Sequence, residues 1–226
     1  MLNQKQIFIT GTDTGVGKSI FSALLALSYL NKGKKVAISK PIQTGKDKDT
    51  EFLAQLTNYR IPIFNTYSFS LPAAPSVAAG NEGRIIDTKK IISDIRKLEK
   101  EFDCVIVEGI GGIAVPIVEV CRGMPLLVGD LIKTLGYPVI IVARPTLGTI
   151  NHTVLTIEFA KSRKLNVLGF VVSGYYEETN DPVLKTAPEE ISRITKISCL
   201  MKIPHLKEIN FDAITKLSKI NTQILV

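Results

Sequence analysis

A glycine-rich segment that ends in a lysine and a serine carries the strongest chemical signal in this sequence. The segment reads Gly11-Thr12-Asp13-Thr14-Gly15-Val16-Gly17-Lys18-Ser19. Glycines let consecutive backbone N–H groups turn inward around phosphate oxygens, and a helix that follows adds the partial positive charge of its N-terminus. Lys18 would then hold the β- and γ-phosphates of a nucleotide and Ser19 would hold Mg²⁺. The match is incomplete, because Thr12 stands where the strict pattern has glycine.

Two further charged residues follow apolar runs and could reach the same phosphates. Lys40 follows an apolar run, and a second lysine near a triphosphate would neutralise charge that shifts during phosphoryl transfer. Glu108 directly follows another buried run, as a magnesium ligand of a phosphate loop does. Taken alone, Lys40 is a weak signal, because it could be a surface lysine before a proline turn. Glu108 could be a glutamate in a turn, but with Lys18 and Ser19 in place the sequence favours a metal ligand.

The remaining acidic candidates are Asp13, Asp47 and Asp49, any of which could reach a metal. Asp49 also opens a helical pattern, where it could serve as an N-cap. The sequence does not separate capping from metal binding, nor Asp47 from Asp49.

A further helix start lies at residues 145–152, where exposed N–H groups could bind a carboxylate. Thr149 or Asn151 could equally be a plain N-cap there, and the two interpretations are compatible.

The elements that must position these residues alternate along the chain. Continuous apolar runs predict strands at Ile7–Thr10, Val36–Ser39, Cys104–Val107, Val139–Ala143 and Val167–Val172. Helical patterns lie between them at Lys18–Leu30, Asp49–Asn58, Asp87–Lys100, Pro125–Leu135 and Asn151–Arg163. This order predicts an α/β fold of the P-loop NTPase type, in which helices cover both faces of a mostly parallel sheet. The segment Ile61–Arg84, rich in proline and glycine, is predicted to be a long irregular excursion.

Composition limits the class of protein. The chain has 226 residues, of which 45% are hydrophobic and 22% charged, as expected of one globular domain over residues 1–226. No apolar run is long enough to span a membrane, and the N-terminus does not resemble a signal peptide, so we expect a cytoplasmic protein. The formal charge of +7 comes from scattered lysines, which favours anionic substrates over nucleic acid.

Four segments together resemble the dethiobiotin synthetase family. They are residues 11–19, Lys40-Pro41 with Thr44-Gly45, residues 107–112 and residues 147–152. The resemblance implies a homodimer that forms the ureido ring of dethiobiotin from 7,8-diaminononanoate, CO₂ or bicarbonate, and ATP. One amine would capture CO₂ as a carbamate, the carbamate would take the γ-phosphoryl group, and the second amine would close the ring.

The same resemblance assigns roles to individual residues. The nucleotide would contact Asp13, Thr14, Gly15, Val16, Gly17, Lys18, Ser19, Asp49, Glu108, Gly111, Gly174, Tyr175, Pro204, His205 and Leu206. The magnesium ligands would be Ser19, Asp49 and Glu108. Lys40 would be the catalytic lysine, together with Lys18. The diamine or its carbamate would contact Thr44, and its carboxylate would bind the backbone of Gly148, Thr149, Ile150 and Asn151 near the dimer interface.

The sequence departs from the family where the nucleotide base is bound. The family has an asparagine after the strand at Val167–Val172, whereas this chain has Ser173-Gly174-Tyr175. A lost bidentate hydrogen bond removes selectivity, so we predict that other nucleoside triphosphates are accepted besides ATP.

Other functions are less consistent with the residues. A partitioning-type ATPase switch would carry a lysine where this chain has Asp13. An amidating ligase of the cobyrinic-acid group would need a glutamine-hydrolysing domain, for which the chain is too short. A binding module without catalysis would not need both Lys18 and Lys40.

Overall fold

A computed structural model of the protein describes residues 4–46, 48–118, 124–176, 178 and 181–220. Its strands are β1 (Gln6–Gly11), β2 (Val36–Ser39), β3 (Ile42–Thr44), β4 (Ile63–Phe64), β5 (Tyr67–Phe69), β6 (Cys104–Gly112), β7 (Pro116–Val118), β8 (Leu126–Leu127), β9 (Val139–Ala143), β10 (Val167–Tyr175) and β11 (Cys199–Pro204). Its helices are α1 (Lys18–Asn31), α2 (Asp49–Leu56), α3 (Pro75–Asn81), α4 (Thr88–Glu101), α5 (Val128–Leu135), α6 (Thr149–Ser162), α7 (Pro182–Thr195) and α8 (Phe211–Ile220).

Seven strands form one parallel sheet in the order β11-β10-β9-β1-β6-β2-β4. Side chains of each strand alternate between the two faces, as a pleated strand requires. On β1, Phe8 packs into one apolar cluster while Ile7 and Ile9 pack into the other. The predicted sheet with both faces buried is therefore confirmed.

Helices cover the two faces of this sheet. One face packs against α1, α2 and α8, and the other against α3, α4, α5, α6 and α7. Helix α1 is apolar along most of its length and largely buried, because it lies under α8 and α2 as well as on the sheet. Among the described residues, no helix is both long and apolar enough to cross a membrane.

Strand order brings the chemically interesting segments together. Strands β1 and β6 are neighbours, and Ile9 pairs with Glu108 while Gly11 pairs with Gly112. On the other side of β6, β2 ends at Ser39, immediately before Lys40. Because carboxyl ends of parallel strands lie at the same edge of a sheet, the glycine-rich loop, Lys40 and Glu108 converge there.

The observed elements correct several expectations. The predicted irregular excursion over Ile61–Arg84 was wrong in part, since it contains β4, β5 and α3. These pieces are short, and β5 is held by pairing with β3 rather than by its own periodicity. Helix α5 begins at Val128 rather than Pro125, and α6 at Thr149 rather than Asn151. Strand β6 continues past Val107 to Gly112, so Glu108 lies within it rather than after it.

Candidate active site

The glycine-rich loop joins β1 directly to α1. Gly17 is the N-cap of α1 and has φ +96°, and Lys18 is its first residue. A β-carbon on Gly17 would lie only 2.2 Å from Ser173 Oγ on β10. Glycine is required here on two counts, because side-chain-bearing residues avoid this φ and because no space remains for a side chain. The loop is thus pressed against β10 at the sheet edge.

Lys18 lies over the loop with its ammonium in contact with the backbone. Its Nζ donates a hydrogen bond to the carbonyl oxygen of Asp13 at 2.8 Å, and the residue is 7% exposed. Burial and the nearby charge of Lys40 lower the pKa of Lys18 to about 8. An anion placed at this ammonium would therefore relieve a cation that is poorly solvated and faces another cation.

Lys40 is the most enclosed charge in the site. Its Nζ lies 2.6 Å from Asp49 Oδ2, 2.9 Å from Glu108 Oε1 and 3.0 Å from the carbonyl oxygen of Gly109. Burial alone would lower the pKa of Lys40, but the charges of Glu108 and Asp49 outweigh it and raise that pKa above its ordinary value. Lys40 is therefore a fixed ammonium with all three of its donor directions used.

Glu108 connects the two lysine-bearing segments. Its Oε1 accepts hydrogen bonds from Ser19 Oγ at 2.8 Å and from Lys40 Nζ at 2.9 Å. Its side chain is fully buried, and Oε2 has no hydrogen-bond partner among the described residues. Burying a carboxylate oxygen without a hydrogen-bond partner costs free energy, so Oε2 is suited to bind a cation.

Asp49 completes this group from the start of α2. The N-cap of α2 is Lys48, so Asp49 is the first helical residue and does not cap the helix. Its carboxylate is 44% exposed and pairs with Lys40 instead. The capping alternative for Asp49 is therefore wrong. Asp47, the other candidate, lies outside the described residues.

These residues line one cleft of about 590 Å³. Its lining includes the predicted site residues Thr14, Gly15, Gly17, Lys18, Ser19, Lys40, Thr44, Asp49, Glu108 and Gly111. Residues 72–75 and Ile209 form further parts of its wall. Asp13 and Val16 belong to the same loop but are not among the lining residues; Val16 is buried in the core beneath it.

The segment predicted to bind a carboxylate lies at a separate pocket. Gly148, Thr149, Ile150 and Asn151 line a pocket of about 440 Å³ together with Leu155 and Ile194. Gly148 caps α6 in the left-handed conformation, with no side-chain capping bond, so neither Thr149 nor Asn151 is the N-cap. The cleft and this pocket share no lining residue.

The residues predicted to contact the base lie where β10 and β11 end. Tyr175 pairs with Pro204 in the strand register, and the His205 N–H donates to the Tyr175 carbonyl at 2.8 Å. The His205 ring stacks on Tyr176, with ring centroids 4.5 Å apart. In the chain, Gly174 precedes Tyr175 and Leu206 follows His205. The glycine-rich loop approaches the same strand end, where Gly17 lies against Ser173.

Sequence reasoning assigned no role to two polar side chains that contact segments of the site. Buried Gln43 accepts a hydrogen bond from the Thr50 N–H at 3.2 Å and donates to Ser68 Oγ at 3.3 Å, which ties β3 to α2 and β5. Arg144 forms an ion pair with Asp13. Both residues follow predicted strands, and this position was the only sign in the sequence that they could lie near the site. Their hydrogen-bond and ion-pair partners are known only from the folded structure.

Comparison with known sequences gives consistent relatives. Residues 5–213 match a family model described as an AAA domain. An ATP-dependent dethiobiotin synthetase BioD from Thermodesulfovibrio yellowstonii is 39% identical over 219 residues, covering 92% of this chain and 91% of the relative. Proteins of the same name from Bacillus subtilis strain 168 and Methanocaldococcus jannaschii are 36% and 37% identical, covering 97% and 84% of this chain and 96% and 93% of the relatives.

Solved structures share the fold at low sequence identity. A chain of the MinC:MinD cell division protein complex from Aquifex aeolicus superposes with a TM-score of 0.61 at 15% identity, covering 98% of this chain and 92% of that one. A ParA family ATPase from Chlorobium tepidum has a TM-score of 0.58 at 12% identity, covering 96% and 98%. These likenesses establish the P-loop NTPase fold.

The contact between Gly17 and Ser173 gives a first testable prediction. We expect Gly17→Ala to lower the free energy of unfolding by about 2 kcal/mol more than Gly33→Ala, because both glycines have positive φ but only Gly17 lacks space. Chemical denaturation measures both variants. Equal losses for the two would show that the approach of β10 does not restrict the loop.

Proposed function

This chain belongs to the family of ATP-dependent dethiobiotin synthetases, and we propose that the cleft around Lys18, Lys40 and Glu108 is where it closes the ureido ring. The single observation that carries the proposal is the convergence of these three side chains on one cleft from three separate segments. ATP use and ligase activity belong to the family; the assignments to individual residues below are ours.

The proposed reaction has three steps. A substrate amine attacks CO₂ and loses a proton to solvent, which gives a carbamate. A carbamate oxygen attacks the γ-phosphorus of ATP, the bond to ADP breaks, and a carbamic–phosphoric anhydride forms. The second amine then attacks the carbonyl carbon and loses its proton, phosphate leaves with the electron pair, and the ring is closed. Each step needs positioning and positive charge more than a strong base.

Two ammonium groups supply that charge. We assign the segment from Asp13 to Lys18 to the phosphates, with Lys18 exchanging its bond to the Asp13 carbonyl for a phosphate oxygen. We assign Lys40 to the carbamate and the moving phosphoryl group, since its raised pKa keeps it charged. Lys40 would act through its fixed charge, because its three donors are used by Asp49, Glu108 and the Gly109 carbonyl. A cation already held in place needs little reorganisation as the reaction proceeds.

The residues present fit a magnesium ion. Ser19, Asp49 and Glu108 offer hydroxyl and carboxylate oxygens, the ligand type that Mg²⁺ prefers, and Glu108 Oε2 is buried without a partner among the described residues. When bound, Mg²⁺ would neutralise charge on the β- and γ-phosphates. Ser19 and Lys40 already share Glu108 Oε1, so the protein holds this carboxylate in one orientation.

The diamine would lie between the phosphates and β3. Thr44 lines the cleft beside Lys40 and Asp49, which supports its contact with the diamine or carbamate. We assign the substrate carboxylate to the backbone of residues 148–151 at the start of α6, where N–H groups favour an anion. Because that pocket is separate, we propose that a second copy of the chain brings the two together in a homodimer. The exposed apolar side chains of Leu147 and Leu155 support such an interface.

The base would lie at the ends of β10 and β11, beside Gly174, Tyr175, Pro204, His205 and Leu206. In the proposed location, Tyr176 and His205 present stacked rings. Ring faces bind any base, whereas an amide side chain would select one hydrogen-bonding pattern.

The reaction itself is tested by phosphate release. Enzyme, ATP and Mg²⁺ are expected to release phosphate only when the diamine and bicarbonate are both added, because the γ-phosphoryl acceptor is the carbamate. Rapid release without the diamine would instead indicate a switch ATPase of the partitioning type, and release without product would contradict ring closure.

The two lysines are expected to fail in different ways. Lys18→Ala should abolish nucleotide binding or turnover, whereas Lys40→Ala should reduce turnover by at least about a hundredfold and weaken binding much less. Calorimetric titration with nucleotide and steady-state kinetics separate the two effects. Lys90→Ala, which removes an exposed lysine on α4, is the matched control. An active Lys40→Ala enzyme would refute the catalytic assignment.

Base selectivity is tested by comparing nucleotides. We expect kcat/KM for ATP, GTP and CTP to fall within about tenfold of one another, because stacking without an amide reader discriminates weakly. A strong preference for ATP would mean that another group reads the base edge.

A further inference from the structure

An acidic side chain stands in the loop that has to accept a triphosphate. Asp13 is in the middle of the glycine-rich loop, and its carboxylate is 54% exposed. Like charges repel, so a bare carboxylate at this place would oppose phosphate binding. A positive charge close to Asp13 would offset this repulsion.

Asp13 also determines the local shape of the loop. Its Oδ1 accepts a hydrogen bond from the Thr14 N–H at 2.7 Å, and its carbonyl oxygen accepts one from Lys18 Nζ at 2.8 Å. Removing the Asp13 side-chain oxygen would leave the Thr14 N–H without this acceptor, whereas the bond from Lys18 uses the backbone carbonyl and does not depend on the side chain.

A cation from another segment meets this carboxylate. The guanidinium Nη2 of Arg144 forms an ion pair with Asp13 Oδ2. Arg144 directly follows β9, which pairs with β1 so that Gly11 lies opposite Val142. The Thr12 N–H extends this ladder by donating to the Val142 carbonyl at 3.0 Å. The pairing of β9 with β1 therefore places Arg144 next to the glycine-rich loop.

We propose that Arg144 is a positioning residue that neutralises Asp13 and so keeps the loop in a form that accepts a triphosphate. This rests on the proposed role of the loop in phosphate binding. Arg144 is 41% exposed, and an exposed ion pair contributes little to folding stability. Its effect belongs in nucleotide affinity, because the unpaired acid would lie in the loop to which the phosphates are assigned.

A double-mutant cycle separates neutralisation of Asp13 from direct phosphate binding by Arg144. The full-length protein is titrated calorimetrically with ADP, without diamine or bicarbonate, in its original form and as Arg144→Gln, Asp13→Asn and the double variant. The Asp13→Asn substitution keeps a side-chain oxygen for the Thr14 N–H, so it removes the charge and leaves the turn.

We expect Arg144→Gln to raise the Kd for ADP about five- to tenfold at low salt and by less at high salt, where exposed charges are screened. In the Asp13→Asn background the same change should alter Kd by less than about twofold. Arg144→Lys should retain most of the affinity. Arg193→Gln, which removes an exposed arginine on α7, should leave Kd unchanged and controls for net charge.

The opposite results are distinct. An equal loss from Arg144→Gln in both backgrounds would show that the guanidinium binds phosphate itself, and no loss in either background would remove any role; both overturn the inference. If Arg144→Gln unfolds by circular dichroism, the comparison of Arg144→Lys with the original protein decides, since a large loss despite retained charge contradicts neutralisation. Failure of the original protein to bind ADP would instead defeat the proposed phosphate site.

Discussion

The buried contact between Lys40 and Glu108 is the constraint on which the site depends. Both side chains are almost wholly enclosed, at 1% and 0% exposure. Enclosed charges are tolerated only when they are paired and hydrogen-bonded, and removing one partner costs about 3–5 kcal/mol. The pair therefore fixes the end of β2 against β6, and Asp49 fixes the start of α2 to the same ammonium. A change in any one of these elements would strand a charge in a dry environment.

The same pairing has an electrostatic consequence for the phosphate loop. Ser19 at the start of α1 shares Glu108 Oε1 with Lys40, so the two lysine-bearing segments are joined through one oxygen. Lys18 and Lys40 are close enough that the charge of Lys40 contributes to the low pKa of Lys18. The cleft thus combines two cations that repel each other with a carboxylate oxygen that lacks a partner within the described chain. This arrangement supports the proposal that a nucleotide and its magnesium ion bind here.

Much of the fold followed from the sequence. The five predicted strands all belong to the main sheet, and the five predicted helices are present with shifted ends. The elements that were missed are of two kinds. Strands β3, β4, β5, β7 and β8 have only two or three residues and helix α3 has seven, too few for a clear periodic signal, and the strands exist because neighbouring strands pair with them. The C-terminal elements α7, β11 and α8 were not predicted, and α7 contains Pro188, which interrupts the sequence pattern of a helix.

For the site, residue type and chain order were sufficient to single out Lys18, Ser19, Lys40 and Glu108 as candidates, because phosphate and magnesium chemistry uses such groups beside a glycine-rich turn. The structure brings all four to one cleft. The sequence did not reveal which of these side chains form ion pairs or share a pocket. Strand order and register decide these contacts. Asp49 pairs with Lys40 rather than capping α2, and Asp13 pairs with Arg144. Residues 148–151 line a different pocket from the cleft. The sequence determines which side chains can do the chemistry; only the packing of distant segments decides which of them share a charge, since burial and distance set electrostatic energies and neither is local in the chain.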